Sequence, residues 1–297
     1  MSTLSGLISA GGGGALLNIW IRSSQTWTPP FDGVGTIHVI GGGGPGQSHH
    51  KQENDINGGG PAGGYARKEV TFSTSTNWTM TIGAGGVPTQ VAYNASATIG
   101  YGVSAGGLSR AVATGYNILA NGGAVPTANS TGSGGGTASG GDVNYTGGVS
   151  GTGSSQFLSG KGGGAVATQA SGGSTYPALT LRTGGQDSDC ICPYDPSAYG
   201  QMTGGGNGGA AIVHHYYAIP PDTGVYSVAN GGFLAGGGRV RVYGGSGHTT
   251  QTVLGGSGGF GGGGGAAQNT HSSAGGMGTQ GGHGGQGIIL IQYKAKE

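Results

Sequence analysis

Charge is scarce in this chain. Only 7% of its residues are Asp, Glu, Lys or Arg, and 11 basic against 10 acidic side chains leave a formal net charge of +1. That balance lacks the positive footprint of a nucleic-acid-binding protein and the polybasic signal for anionic membranes. Cysteine is scarcer still. The two present, Cys190 and Cys192, are separated by one residue; a bridge that short would be strained, so they read as two thiols and no disulfide framework is expected. Long apolar runs are missing too. The N-terminal stretch has no charge before Arg22, unlike the basic start of a secretory signal, and glycines at 11–14 break its apolar run, which argues against a membrane-spanning helix. Its Leu4, Leu7, Ile8, Leu16, Leu17, Ile19 and Trp20 suit burial against a partner, a sister subunit or the protein's own core. No capped amphipathic stretch of about ten residues is present, so no α-helix is expected. No P-loop, Ser/His/Asp constellation or zinc-protease motif occurs and the carboxylates are scattered, so the sequence reads as neither an enzyme nor a cofactor carrier.

What is abundant is glycine, 77 of 297 residues. In GGMGTQGGHGGQG at 275–287, positions 275, 278, 281, 284 and 287 are all Gly, and the run at 255–265 keeps Gly at 255, 258, 261 and 264. A period of three matches a left-handed extended helix with three residues per turn. One edge of such a helix has no side chains, so another backbone can pack there. Glycine also loses the most backbone entropy on folding, so such a chain folds only if its backbones bond to one another. Gly plus Pro at about 30% of the chain often signals low complexity. Here strand patterns separate the glycine islands. Collagen fits poorly, because only 11 prolines are present and the triplet repeat is broken.

Period-two patterns mark strands at 35–40, 65–72, 77–82, 239–243 and 287–293, with the polar 73–76 as a turn. Between them lie glycine islands at 58–64, 132–141, 160–164, 204–209, 231–238 and 255–265. They repeat a device and show no sequence repeat of fixed length. An island of ten residues would span about 31 Å if straight. The expected fold is all-β, with strands flanking a sandwich of polyglycine II helices and polar segments forming loops at the bundle ends. Residues 1–26 read as an attachment or oligomerisation segment and 27–297 as the glycine-rich domain.

Three clusters could carry recognition. HHKQEND at 49–55 reads as a solvated polar loop; the sharper reading is a metal site or sugar-binding tip using His49 and His50. Around Cys190 and Cys192, Asp187, Asp189 and Asp195 could offer ligands, but structural zinc sites space their cysteines more widely, so no metal is expected. His214, His215, Tyr216 and Tyr217, with Tyr194, Tyr199 and Tyr226, could form a recognition surface, since tyrosine gives a flat apolar face and a hydroxyl at low entropic cost. The same cluster also reads as an inward-packing strand led in by Ile212 and Val213.

Trp27-Thr-Pro-Pro followed by GVGTIHVIGGGG at 33–44, GGYARKEV at 63–70, MTIGAGG at 80–86 and the closing GHGGQGIILIQY at 282–293 resemble the glycine-rich domain of bacteriophage tail fibres. The interior is similar only in its glycine style, a device shared with the polyglycine bundles of tail-fibre adhesins. The resemblance implies a virion component at the tail fibre or tail tip. It would be homotrimeric, attached to other tail proteins through its N-terminus, and would bind a host-surface glycan or protein without covalent chemistry. A purely structural adaptor or decoration role is the alternative within the virion. An ice-binding or extracellular-matrix glycine-rich protein is another, disfavoured by the irregular Tyr- and His-bearing inserts.

Overall fold

The computed structural model describes residues 16–50, 58–92, 98–127, 134–149, 212–215, 224–227, 230–238, 240–243, 251–269 and 278–295. Among these the protein is all-β, with no helix. The chain opens with β1 (Leu17–Ile21), β2 (Gln25–Trp27), β3 (Gly33–Ile40), β4 (Ser48–His50), β5 (Tyr65–Phe72) and β6 (Trp78–Thr81). It continues through β7 (Gln90–Ala92), β8 (Thr98–Gly100), β9 (Ser109–Ala113), β10 (Tyr116–Ala120), β11 (Ala138–Ser139) and β12 (Val143–Tyr145). The remainder holds β13 (Ile212–His215), β14 (Gly224–Ser227), β15 (Val240–Tyr243), β16 (Gln251–Leu254), β17 (Ala267–Asn269), β18 (Gly278–Gln280) and β19 (Ile288–Ala295).

These strands form four sheets. The first, β1-β19-β3-β5-β12, is antiparallel and packs on the second, β11-β10-β9-β6-β2. Alternation builds the core between them. Trp78 and Met80 of β6 are buried while Thr79 and Thr81 face out. They meet Ile37, Val39, Val70, Phe72, Ala111, Ile118, Ile289 and Ile291. Each large aliphatic side chain buried there contributes about 1.5–3 kcal/mol. The aromatic end is tight: Tyr293 stacks on Phe31 at 4.7 Å and meets Phe72 at 4.8 Å. Gly35 lies opposite Tyr293, and a Cβ there would collide with it. The N-terminal segment is part of this sandwich. β1 pairs with β19, β2 pairs with β6, and Ile21 lies in the core. The boundary drawn at residue 26 therefore falls inside a folded unit, because the apolar residues of β1 complete an edge of the first sheet.

A glycine-rich layer joins this sandwich to the other two sheets. Successive backbone N–H groups there bond to different neighbours. Gly41, Gly44 and Gln47 donate to Gly64, Pro61 and Gly58 at 2.8–3.1 Å, while Gly43 and Gly46 donate to Gly285 and Gly282 and Gly42 to Gly107. Every third residue thus returns to the same neighbour, and the backbone donors are met without sheet or helix. The packing requires glycine. A Cβ at Gly43, Gly263 or Gly285 would lie under 3.0 Å from a neighbouring carbonyl oxygen, a distance real Cβ atoms essentially never show.

The third sheet, β13-β15-β17-β4-β8, and the fourth, β14-β16-β18-β7, face each other beyond this layer. β13, β15, β17 and β4 run parallel, as do β14, β16 and β18. The chain alternates between the two sheets. Val240 pairs with Ala267 and Gly224 with Gln251, so each coil recurs after about 27 residues. A repeat of near-fixed length therefore exists where the sequence shows none. Its strands, IVHH, VRVY and AQN, share only their backbone path. The islands at 231–238 and 255–265 are also not straight. Each turns back through an i to i+3 bond, Ala235 N–H to Gly232 O at 3.1 Å and Gly262 N–H to Gly259 O at 2.8 Å. The third residue of each turn is left-handed, Leu234 at φ 62° and Gly261 at φ 68°.

Candidate functional site

The parallel strands β13, β15, β17 and β4 all end on the side away from the glycine-rich layer. There the chain passes into 216–223, 244–250, 270–277 and 51–57, which lie outside the described residues, as does 93–97 after β7. Of the sequence candidates, His49, His50, His214, His215 and Tyr226 fall on described strands. His214 and His50 share one rung of the third sheet, through Val242 and Asn269, and His215 pairs with Tyr243 at the strand end. Tyr216 and Tyr217 follow directly and, with Tyr194 and Tyr199, lie outside the described residues. Tyr226 has the register of Val253, Thr279 and Val91 in the fourth sheet.

His49 is a correction. It is fully buried, so it neither sits in a solvated loop nor faces a receptor. Its Nε2 lies 3.0 Å from Gln47 Oε1, which also accepts from Gly58 N–H at 2.8 Å. The cause is pairing on both sides: β4 lies between β17 and β8 and continues the glycine-rich segment at 41–46.

A second surface lies where the coil turns meet the sandwich. Phe233 and Phe260 occupy equivalent places in successive turns, with ring centroids 6.0 Å apart. Trp20, 38% exposed, meets Phe233 edge-on at 5.5 Å. The Arg22 guanidinium lies 5.7 Å over the Phe260 ring, and Gln286 Nε2 donates to Arg22 O at 3.4 Å. Along the two phenylalanines runs an open groove of about 470 Å³, lined besides them by Gly231, Gly232, Gly258, Gly259, Gly285 and Gln286. Sequence reasoning missed this site. Its one signal is the triplet Gly-Gly-Phe, at 231–233 and again at 258–260. Leu234, beside Phe233, is buried with Ile40, Tyr65, Ile288 and Leu290, which fixes the turn onto the first sheet.

The outer face of that sheet carries a buried polar row. Gln292 Nε2 donates to Asn18 Oδ1 at 2.9 Å, so its Oε1 accepts from His38 Nε2–H at 3.0 Å. His38 Nδ1 is then the acceptor for the Tyr65 hydroxyl at 2.8 Å. Only neutral imidazole satisfies this chain. Burial lowers the His38 pKa to about 3, against the pull of the Gln292 hydrogen bond and with a push from the Arg67 charge. Compared with known proteins, the chain matches no family model and no curated protein.

Proposed function

We propose that the glycine-rich segments are packed left-handed extended helices of the polyglycine II type, and that they form a rigid stalk in a virion tail-fibre or tail-tip protein. The threefold return of hydrogen bonds, 41 to 64, 44 to 61 and 47 to 58, supports the helix geometry. The observation that supports the binding reading is the common polarity of β13, β15, β17 and β4, which all end on one side, each followed in sequence by a mostly polar segment. Stiff supports carrying variable segments suit recognition. The partner is a glycan or protein of the host cell surface. Other tail proteins are engaged through the N-terminus, and the assembly is a homotrimer. No catalytic step is part of this reading.

The test is adsorption. Purified full-length protein should bind host cells and compete with phage attachment. Changing both Tyr216 and Tyr217 to Ala should weaken binding at least about tenfold, since recognition concentrates in a few aromatic anchors. The melting temperature should stay nearly unchanged. A variant that folds and still adsorbs normally removes these tyrosines from the contact.

A further inference from the structure

We infer that the groove along the coil turns at Phe233 and Phe260, with Arg22 beside it, binds an acidic saccharide. The inference rests on the host-surface reading for the source of that saccharide, not for the chemistry of the site.

Shape comes first. The groove is open and of a size that takes a short oligosaccharide. A wholly apolar ligand would stay half wet in it. A sugar has a face of C–H groups and a rim of hydroxyls, so it can lay the face on Phe233 and Phe260 and leave the rim in water. The glycines of the lining let the sugar approach the backbone closely, because they carry no side chain.

Repetition comes second. The floor is made of the steps Gly231-Gly232, Gly258-Gly259 and Gly285-Gln286, one from each of three successive coils. Hydrogen-bonded neighbours of this kind recur at about 4.8 Å, a spacing comparable to one sugar unit. The groove therefore offers equivalent places in a row, which suits a polymer of similar units.

Charge comes third. Arg22 is exposed and lies over Phe260. Among the described residues the one ion pair is Lys68 with Asp142, so no carboxylate there bridges Arg22. A guanidinium stacked on a ring keeps its N–H edge free to fork a carboxylate. A uronic acid meets that edge while its ring meets the aromatic wall.

Calorimetry on the full chain tests this with trigalacturonic acid, with neutral maltotriose and with the peptide GGSGGFGGGGG. The expected result is saturable binding of trigalacturonic acid that Arg22→Gln weakens at least about tenfold. Phe260→Ala should abolish it with an unchanged melting temperature. If Phe260→Ala unfolds the protein, Arg22→Gln alone decides. No binding by wild type, or undiminished binding by Arg22→Gln, overturns the proposal. Equal affinity for maltotriose overturns it, and so does displacement of the saccharide by the peptide, which would make the groove a seat for a glycine-rich chain. Saccharide binding without cell adsorption leaves the groove standing and removes the host-surface role; adsorption without saccharide binding does the reverse.

Discussion

At position 281 a single hydrogen atom separates a folded layer from a collision. A Cβ on Gly281 would lie under 3.0 Å from the Gly46 carbonyl oxygen, whereas neighbouring Gln280 already carries a half-buried side chain. Gly281→Val should therefore cost about 3 kcal/mol or more, or abolish soluble yield, while Gln280→Val costs under about 1 kcal/mol. Urea unfolding of both variants checks this, and equal tolerance would sink the packing argument. His38 sets a second residue-scale expectation. Its folded pKa of about 3 lies below the ordinary 6.5. The unfolded chain then binds the extra proton, so the stability held by neutral His38 is full above pH 6.5 and is lost as pH falls toward 3. The slope is about 1.4 kcal/mol per pH unit. Urea midpoints between pH 7 and pH 4 should fall, and His38→Gln, which keeps a donor and an acceptor, should flatten that fall.

Among the elements, the coil turns show what a pattern can and cannot announce. The strands at 35–40, 65–72, 77–82, 239–243 and 287–293 were legible because apolar side chains alternate or cluster there. β4, β7 and β17 were not, because three residues carry no period and their pairing comes from neighbours distant in sequence. The groove was illegible for a related reason: Trp20 and Phe233 are far apart in the chain and meet only through the turn at Leu234. That turn is also strained. Leu234 is non-glycine at φ 62°, yet its side chain is fully buried. Leu234→Gly relieves about 1 kcal/mol of left-handed strain and forfeits the larger burial, for a net loss of about 2 kcal/mol. Denaturant titration checks the sign. A gain in stability would mean that the turn, and not the side chain, holds the coil to the sheet.

For the whole molecule, the N-terminal segment divides differently from the sequence reading. Residues 17–27 belong to the sandwich, so the proposed role in assembly is tested on the residues that precede them. Light scattering should give a trimer for the full chain and a smaller species for a variant lacking residues 1–15, which retains β1; an unchanged mass would remove that segment from assembly. The position of β19 has a further consequence. Strand β19 lies inside the first sheet, between β1 and β3, which precede it by most of the sequence. During synthesis β1 and β3 therefore wait, unpaired on that side, until β19 leaves the ribosome. Their separation in sequence makes this closure slow, and the waiting edges are open to association in the meantime. A chain of this design stays vulnerable while the residues between β3 and β19 are being made and becomes resistant only when β19 docks.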